Sequence, residues 1–250
     1  MKNPKSILIT GGSSGIGAAL AMESATDGVN LYISARNQNR LAAIAEACTA
    51  KGAIVEAKVI DVTNKEEMKN WVSRTRPLDL VIANAGIGKS FKYEDDLAEM
   101  TQEICDRNLN GVFNTVHPAI KIMKTQGFGQ VALVSSIAGY RGMPSAPLYS
   151  ASKVAVKAYG EGLRGFYHDH NIEVNVICPG FIRSRITDKN DFSMPFFMET
   201  PKAAKIIKSG LEKNKGLITF PWQMRLIMGG MIRLIPEFLL EKILRRLPEK

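Results

Sequence analysis

SILITGGSSGIGAAL, residues 6–20, decides the fold. Five β-favouring residues, 6–10, run straight into a turn with glycines at 11, 12, 15 and 17. A helical pattern, IGAALAMESATDG, follows at once, with Gly28 as its expected stop. A strand that enters a helix through so many residues without a Cβ lets backbone come close to a bulky anion. The unpaired N–H groups and positive dipole end of the helix, expected to start at Ile16, would face that anion. Gly11, Ser13, Ser14, Gly15, Ile16 and Gly17 are therefore the candidate pyrophosphate site of a dinucleotide. The spacing is not the common G-x-G-x-x-G; the position at a strand-to-helix junction carries the reading.

Outward from that turn, apolar β-rich runs alternate with helical patterns. NLYISAR (30–36), AIVEAKVIDV (53–62), LDLVIANAG (78–86), GQVALVSS (129–136), IEVNVICPG (172–180) and GLITFP (216–221) are six further strands. Several are apolar almost throughout, as strands covered on both faces are. NRLAAIAEACTAKG reads as a helix ending at Gly52, and Thr63 with Glu66 has the spacing of a capping box. Strands separated by helices give βαβ units and a parallel sheet. The expected fold is α/β: a doubly wound sheet of seven parallel strands with a C-terminal amphipathic helical tail. Residues 1–221 form one nucleotide-binding and catalytic unit with a substrate lid near 185–210, and 222–250 form the tail.

The bulk properties bound the function. The chain of 250 residues carries 33 Lys/Arg against 24 Asp/Glu, a net charge of +9. Residues 201–250 hold eleven Lys/Arg and four Asp/Glu, an excess of +7, so the rest is close to neutral. That argues against a general nucleic-acid coat and for a local basic element at the C-terminus. Three widely spaced cysteines, Cys48, Cys105 and Cys178, form neither a disulfide framework nor a zinc pattern, and no secretory signal precedes the first strand. A reducing cytoplasm is the expected setting, and no metal site is expected.

The second strand bears on the choice of dinucleotide. A ribose 2′-hydroxyl is usually held by Asp or Glu about 20 residues beyond the glycines. Here the strand ends Ser34, Ala35, Arg36, Asn37. A 2′-phosphate would repel a carboxylate there and attract the fork of Arg36, so NADP is the expected cofactor. Asp61 and Val62, at the end of the third strand, are candidate adenine contacts.

LYSASKVAV, residues 148–156, places Tyr149 and Lys153 four apart on one helix face. A free phenol titrates near ~10, too high for ready proton exchange at neutral pH. A neighbouring ammonium and a positively charged nicotinamide would favour the phenolate and lower that pKa. Ser136 is positioned to hold a substrate oxygen.

In these residues the sequence resembles the short-chain dehydrogenase/reductases of the single-domain branch. The matching motifs are TGGSSGIG (10–17), ANAG (83–86), NLNGVF (108–113), SSIAG (135–139), YSASK (149–153) and CPGFIRS (178–184). They run in order over roughly residues 5–185. The resemblance implies a Rossmann sheet, with Tyr149 as acid/base and Lys153 on the nicotinamide ribose. It implies Ser136, thirteen before the tyrosine, on the substrate oxygen, and Asn108 near a proton-relay water. It also implies Asn84, Ala85 and Gly86 beside the adenosine ribose, and Pro179, Gly180, Ile182 and Ser184 on the nicotinamide side. Ala83 stands where Asn is more usual and Ser184 where Thr is; the hydroxyl survives.

Other signals are weaker. His168 and His170 flank Asp169 at a helix end and read as a solvated terminus. Cys178 reads as a buried thiol. Ala151, Ala155 and Ala158 suit either a subunit interface of a dimer or tetramer or packing on the sheet. Met194, Phe196, Phe197 and Met198 in the lid suit an apolar substrate or ordinary packing. In the tail, Met224, Ile227, Met228, Met231, Ile232 and Ile235 lie near helical spacing. Leu240, Ile243, Leu244 and Leu247 form a second stripe after Pro236. Arg225, Arg233, Lys242, Arg245 and Arg246 interrupt the stripes, so the tail cannot span a bilayer. It can lie on the inner face of an anionic membrane, dock on a partner, or fold back over the substrate cleft. The expected activity is NADP(H)-dependent interconversion of a carbonyl and a secondary alcohol on an apolar or lipid-like small molecule. A 3-oxoacyl-carrier-protein reductase and a non-catalytic NADP-binding sensor or scaffold are the alternatives.

Overall fold

The computed structural model describes residues 1–89, 96–189, 193–231 and 234–244. Seven strands, β1 (Ser6–Thr10), β2 (Asn30–Ala35), β3 (Ile54–Val59), β4 (Leu80–Ala83), β5 (Gly129–Val134), β6 (Ile172–Pro179) and β7 (Leu217–Phe220), form one sheet in the order 3-2-1-4-5-6-7. Every neighbouring pair is parallel. The helices between them are α1 (Gly15–Ser24), α2 (Gln38–Thr49), α3 (Lys65–Arg74), α4 (Leu97–Cys105), α5 (Gly111–Gln126), α6 (Pro147–Phe166) and α7 (Thr200–Glu212). The tail holds α8 (Trp222–Leu226) and α9 (Glu237–Leu244).

Period-2 alternation along the central strands builds two cores from one sheet. Ile7 and Ile9 of β1 join Leu31 and Ile33 of β2 under α1, α2 and α7, where Leu20, Leu41 and Ile207 meet them. Leu8 of β1 faces the other way, with Val81 of β4 and Leu133 of β5, onto Met68, Val116 and Val156 of α3, α5 and α6. Burying each such side chain contributes about 1.5–3 kcal/mol. β3 departs from the expected pattern. It spans Ile54–Val59 rather than 53–62, and its residues are mostly exposed because it is the sheet's edge.

Two expected termini shift. Asn64, not Thr63, caps α3: its side chain accepts from Glu67 N and donates to Glu67 Oε2. Thr63 is instead drawn to Asp61, whose carboxylate accepts from both its N–H and its hydroxyl. α1 ends at Ser24, with Ala25 as its cap, and Gly28 supplies the left-handed residue (φ 73°) of the turn before β2. Gly52, beyond α2, has φ 89°.

The described apolar residues of the tail divide between buried and exposed positions. α8 passes into a π-helical turn, Ile227–Met231, which moves Ile227 to solvent. Met224 and Met228 are buried against Ile137, Tyr140 and Met143. Leu240 of α9 is buried and Ile243 is exposed. Ile232, Arg233, Arg245, Arg246 and Leu247, the side chains of Met231 and Leu244, and residues 190–192 of the lid lie outside the described residues. Among the described residues no helix is long and apolar enough to cross a membrane.

The approach of α6 to the sheet rests on Gly160: a Cβ there would stand 2.4 Å from Val176 Cγ2. Gly162, one half-turn on, has nothing within 4 Å of that position. Gly160→Ala is expected to destabilise by about 1–3 kcal/mol through overpacking. Gly162→Ala is expected to be neutral or to stabilise by about 0.5–1 kcal/mol, because the helix gains propensity without a clash. Urea unfolding of the two variants checks the contrast.

Candidate active site

The C-terminal ends of β1, β4, β5 and β6 meet α1 and α6 around one cleft, and each end is fixed by its own hydrogen bonds. Thr10 closes β1, and its Oγ1 accepts from Asn84 N (3.1 Å) and Ala85 N (3.2 Å). Asn84 Nδ2 donates back to Thr10 O (2.9 Å) and Gly11 O (3.3 Å). The Asn84 side chain is thus spent on holding the glycine turn against the loop after β4. The tightness of this junction explains the glycines. A Cβ on Gly17 would fall 2.3 Å from Gly11 O, and one on Gly11 only 2.9 Å from Asn84 Nδ2. Gly11 and Gly15 have φ of 69° and 56°. Ser14 caps α1 in an extended conformation without using its side chain, so its hydroxyl and that of the adjacent Ser13 remain for an anion.

The opposite wall comes from the loop after β6. A Cβ on Gly15 would stand 3.2 Å from Ser184 Cβ, so Ser184 lies across the glycine turn. Thr187, not singled out in the sequence, organises that wall. Its Oγ1 donates to Ile182 O and accepts from Ser184 N, both at 2.8 Å. Ile182 is buried and bridges Met198, and Gly180 N donates to Phe220 O (2.8 Å) beside Pro179 at the end of β6. Met198 of the lid is therefore core packing, while Phe196 and Phe197 are exposed, Phe197 under the Arg183 guanidinium. On the far side, Arg36 at the end of β2 is half-exposed and 3.7 Å from Asp61 Oδ2. Val62 is buried and its carbonyl accepts from Asn114 Nδ2.

The chemical centre is built on α6. Ser135 Oγ donates to Lys153 O (2.7 Å), and a Cβ on Gly139 would lie 2.7 Å from both of those oxygens. The helix is thereby pressed onto the end of β5. Ser136 caps the short 3-10 turn Ile137–Gly139, accepting from Ala138 N, and its hydroxyl pairs with that of Tyr149. Lys153 sits one turn above Tyr149, with Nζ 5.7 Å from the ring centre. It is 4% exposed and donates to Val134 O (3.0 Å). Burial lowers its pKa to about 8, opposed by the Cys178 thiol. The phenol does not show the expected lowering in the protein alone: burial pushes Tyr149 upward, and the Ser136 hydrogen bond opposes that rise.

Asn108 joins this group from a π-helical turn, Asp106–Asn110, that aims its fully buried side chain inward. Its Oδ1 accepts from Ile87 N (2.8 Å), and its Nδ2 donates to Ile87 O and Ser152 Oγ (3.0 Å each). Ser152 Oγ in turn donates to Tyr149 O (2.7 Å). Asn108 and Ser152 therefore tie the loop after β4 to the helix that carries the tyrosine. Ser152 was legible only as the residue three beyond Tyr149. A Cβ on Gly86 would stand 3.0 Å from Asn108 Oδ1 and 3.5 Å from Lys153 Nζ, so that glycine keeps the lysine's surroundings open.

The remaining candidates stay outside. His168 pairs with Asp169 in solvent, and no metal-binding cluster exists among the described residues. Burial raises Cys178 to about 11, as for an inert thiol. Ala151 and Ala158 are exposed on the outer side of α6, so they do not pack on the sheet. A groove of about 500 Å³ between α5 and α6, lined by His117, Lys121, Lys124 and Tyr159, includes none of the cleft residues.

The low pKa of Lys153 has a measurable consequence. Between about pH 8 and the ordinary lysine range, the unfolded chain holds the proton that the folded protein has lost. Stability contributed by this group therefore rises with pH across that window. Lys153→Met should abolish the rise, a difference on the order of 1–3 kcal/mol between pH 7.5 and 10 in parallel urea titrations.

The cleft matches one family. The model of the short chain dehydrogenases matches residues 5–193. An uncharacterized oxidoreductase of Myxococcus xanthus is 33% identical over 247 residues, covering 97% of both chains. An 11-beta-hydroxysteroid dehydrogenase-like protein of Arabidopsis thaliana is 32% identical over 254 residues, covering 96% of this chain and 84% of its own. The solved short-chain dehydrogenase from Sphingobium yanoikuyae in complex with NADPH superposes with a TM-score of 0.82 at 22% identity, over 97% of this chain and 96% of that one. With its sheet order, its glycine turn and this extent of similarity, the chain belongs to the short chain dehydrogenase family of oxidoreductases.

Proposed function

We propose that the protein is an NADP(H)-dependent enzyme that interconverts a carbonyl and a secondary alcohol on an apolar small molecule. The observation that carries this reading is the convergence of three groups: Tyr149 hydroxyl-paired with Ser136, and Lys153 one turn away in a buried setting. A protein that only bound the nucleotide would have no need of that trio.

The residues present fit a nicotinamide dinucleotide. The glycine turn at the start of α1 has the close backbone and free amide groups for the pyrophosphate, and Ser184 faces it. Arg36 is the 2′-phosphate ligand in this reading. No carboxylate ends β2, and the exposed pair with Asp61 is worth about 0–1 kcal/mol, so Arg36 is free to turn. Bound there, the nicotinamide supplies or takes the hydride. The chain's own groups handle the oxygen. Ser136 Oγ and Tyr149 Oη donate hydrogen bonds to the carbonyl, polarising it toward attack at carbon. As negative charge develops, the Tyr149 proton passes to the oxygen, giving the alcohol and leaving a phenolate. Ser136 and the Lys153 ammonium stabilise that phenolate until it is reprotonated. A phenol is protonated at neutral pH, so Tyr149 enters the reductive direction with its proton in place.

The apolar character of the substrate is supported by the packing around the turn that Ser136 caps. Ile137, Tyr140, Met143, Met224 and Met228 form a cluster with two adaptable methionines from the tail. The hydroxysteroid name of the Arabidopsis relative points the same way.

NADPH oxidation across a panel of steroid, quinone, alkyl and sugar carbonyls tests the assignment. Tyr149→Phe should lower kcat/KM by about 10²–10⁴ while NADPH still binds. Tight NADPH binding without turnover of any carbonyl would favour a sensor. Arg36→Ala should reduce the preference for NADPH over NADH by about 10–100-fold, the loss of one or two charge-assisted hydrogen bonds.

A further inference from the structure

We propose that the protein docks on an anionic membrane surface through the outward face of α8 and α9. The tail is amphipathic in a sorted way. Its inward groups are spoken for: Met224 and Met228 pack on Ile137, Tyr140 and Met143, and Leu240 is buried. Glu237 pairs with Arg141, and the charge of Glu241 acts on the same guanidinium.

The outward groups are large, apolar and basic. Trp222 is 67% exposed, and Leu226, one turn further along α8, is exposed with it; Arg225 lies exposed between them in sequence. On α9, Phe238 is 71% exposed and Leu239 and Ile243 are also in solvent. At helical spacing Phe238, Lys242, Leu239 and Ile243 fall in one arc roughly 140° wide, away from Glu237 and Glu241. Both acids are thus turned toward a domain arginine, while Lys242 shares the arc with the apolar side chains. Leu234, between the two helices, is exposed too.

Charge selects the occupant. Residues 222–250 carry six Lys/Arg and three Asp/Glu, an excess of +3, so the tail of a second copy would meet it with like charge. An anionic lipid interface satisfies both features at once: aromatic and aliphatic side chains enter the headgroup boundary, and the basic groups face lipid phosphate. The inner side of the same tail packs on Ile137 and Tyr140, next to the turn that Ser136 caps. Uptake of an apolar carbonyl from the bilayer follows if the proposed reductase activity holds; the docking itself does not depend on it.

The chain provides its own probe. It has two tryptophans: Trp71 is buried under the sheet and Trp222 is exposed on the docking face. Vesicles of phosphatidylcholine with phosphatidylglycerol should shift Trp222 emission to the blue and co-sediment the full chain, and brominated lipid should quench it. Neutral phosphatidylcholine vesicles, or added salt, should weaken binding by ~10-fold or more. The double variant Trp222→Glu/Phe238→Glu should lose co-sedimentation while keeping its circular dichroism spectrum and NADPH binding. Equal sedimentation of wild type and variant, or no emission shift with anionic vesicles, would overturn the proposal. So would Trp222 burial that follows protein concentration without lipid, which would assign the face to a second copy, or capture by an acidic acyl carrier protein in place of vesicles. Because vesicle binding is read without turnover, a failed carbonyl panel leaves this result standing.

Discussion

The seating of α6 on the end of β5 is the contact on which the rest of the cleft depends. It is made by three features within one turn of each other. Ser135 Oγ donates to the Lys153 carbonyl, Gly139 leaves room for that approach, and Lys153 Nζ donates to Val134 O. The ammonium is thereby buried in a place where its own charge is disfavoured, which is why its pKa falls to about 8. The same seating brings Tyr149 to Ser136. A helix displaced by an ångström would separate the two hydroxyls and return the lysine to water.

The nucleotide side is assembled on the same logic of backbone proximity. Thr10 and Asn84 lock the first and fourth strand ends together, and the glycine turn closes over them without room for a single Cβ at Gly17. Ser184 and Thr187 bring the loop after β6 across the turn. Asn108, through Ser152, joins the loop after β4 to α6. Four segments distant in sequence, the β1 end, the loop after β4, the Asn108 turn and α6, are thus coupled by largely buried hydrogen bonds, the kind whose loss of one partner is costly. The tail adds a fifth, packing two methionines beside the serine turn.

Much of this was legible before any coordinates. Alternating apolar runs and helical patterns located all seven strands, because a strand buried on both faces has little freedom in composition. β3 was drawn too long because an edge strand lacks that constraint and its flanking Asp61 and Val62 look strand-like. The cap of α3 was misplaced by one residue, since Thr63–Glu66 and Asn64–Glu67 share a spacing and only the competition for Asp61 separates them. Tyr149 and Lys153 were legible from helical spacing, and Ser136 from the family resemblance. The positioning roles of Thr10, Ser152 and Thr187 were not, because a hydroxyl that organises backbone carries no distinctive pattern.

The sequence by itself determined the parallel α/β sheet, the glycine turn and the placing of Tyr149 and Lys153 on one helix face. These follow from periodicity, missing Cβ atoms and helical spacing, all local properties of the chain. Tertiary structure alone decided the direction of the Tyr149 shift, the engagement of Asn84 and Asn108 in holding loops, and the folding-back of Met224 and Met228 onto the turn after β5. Each of those depends on burial and on partners far away along the chain, and desolvation cannot be read from neighbours in sequence.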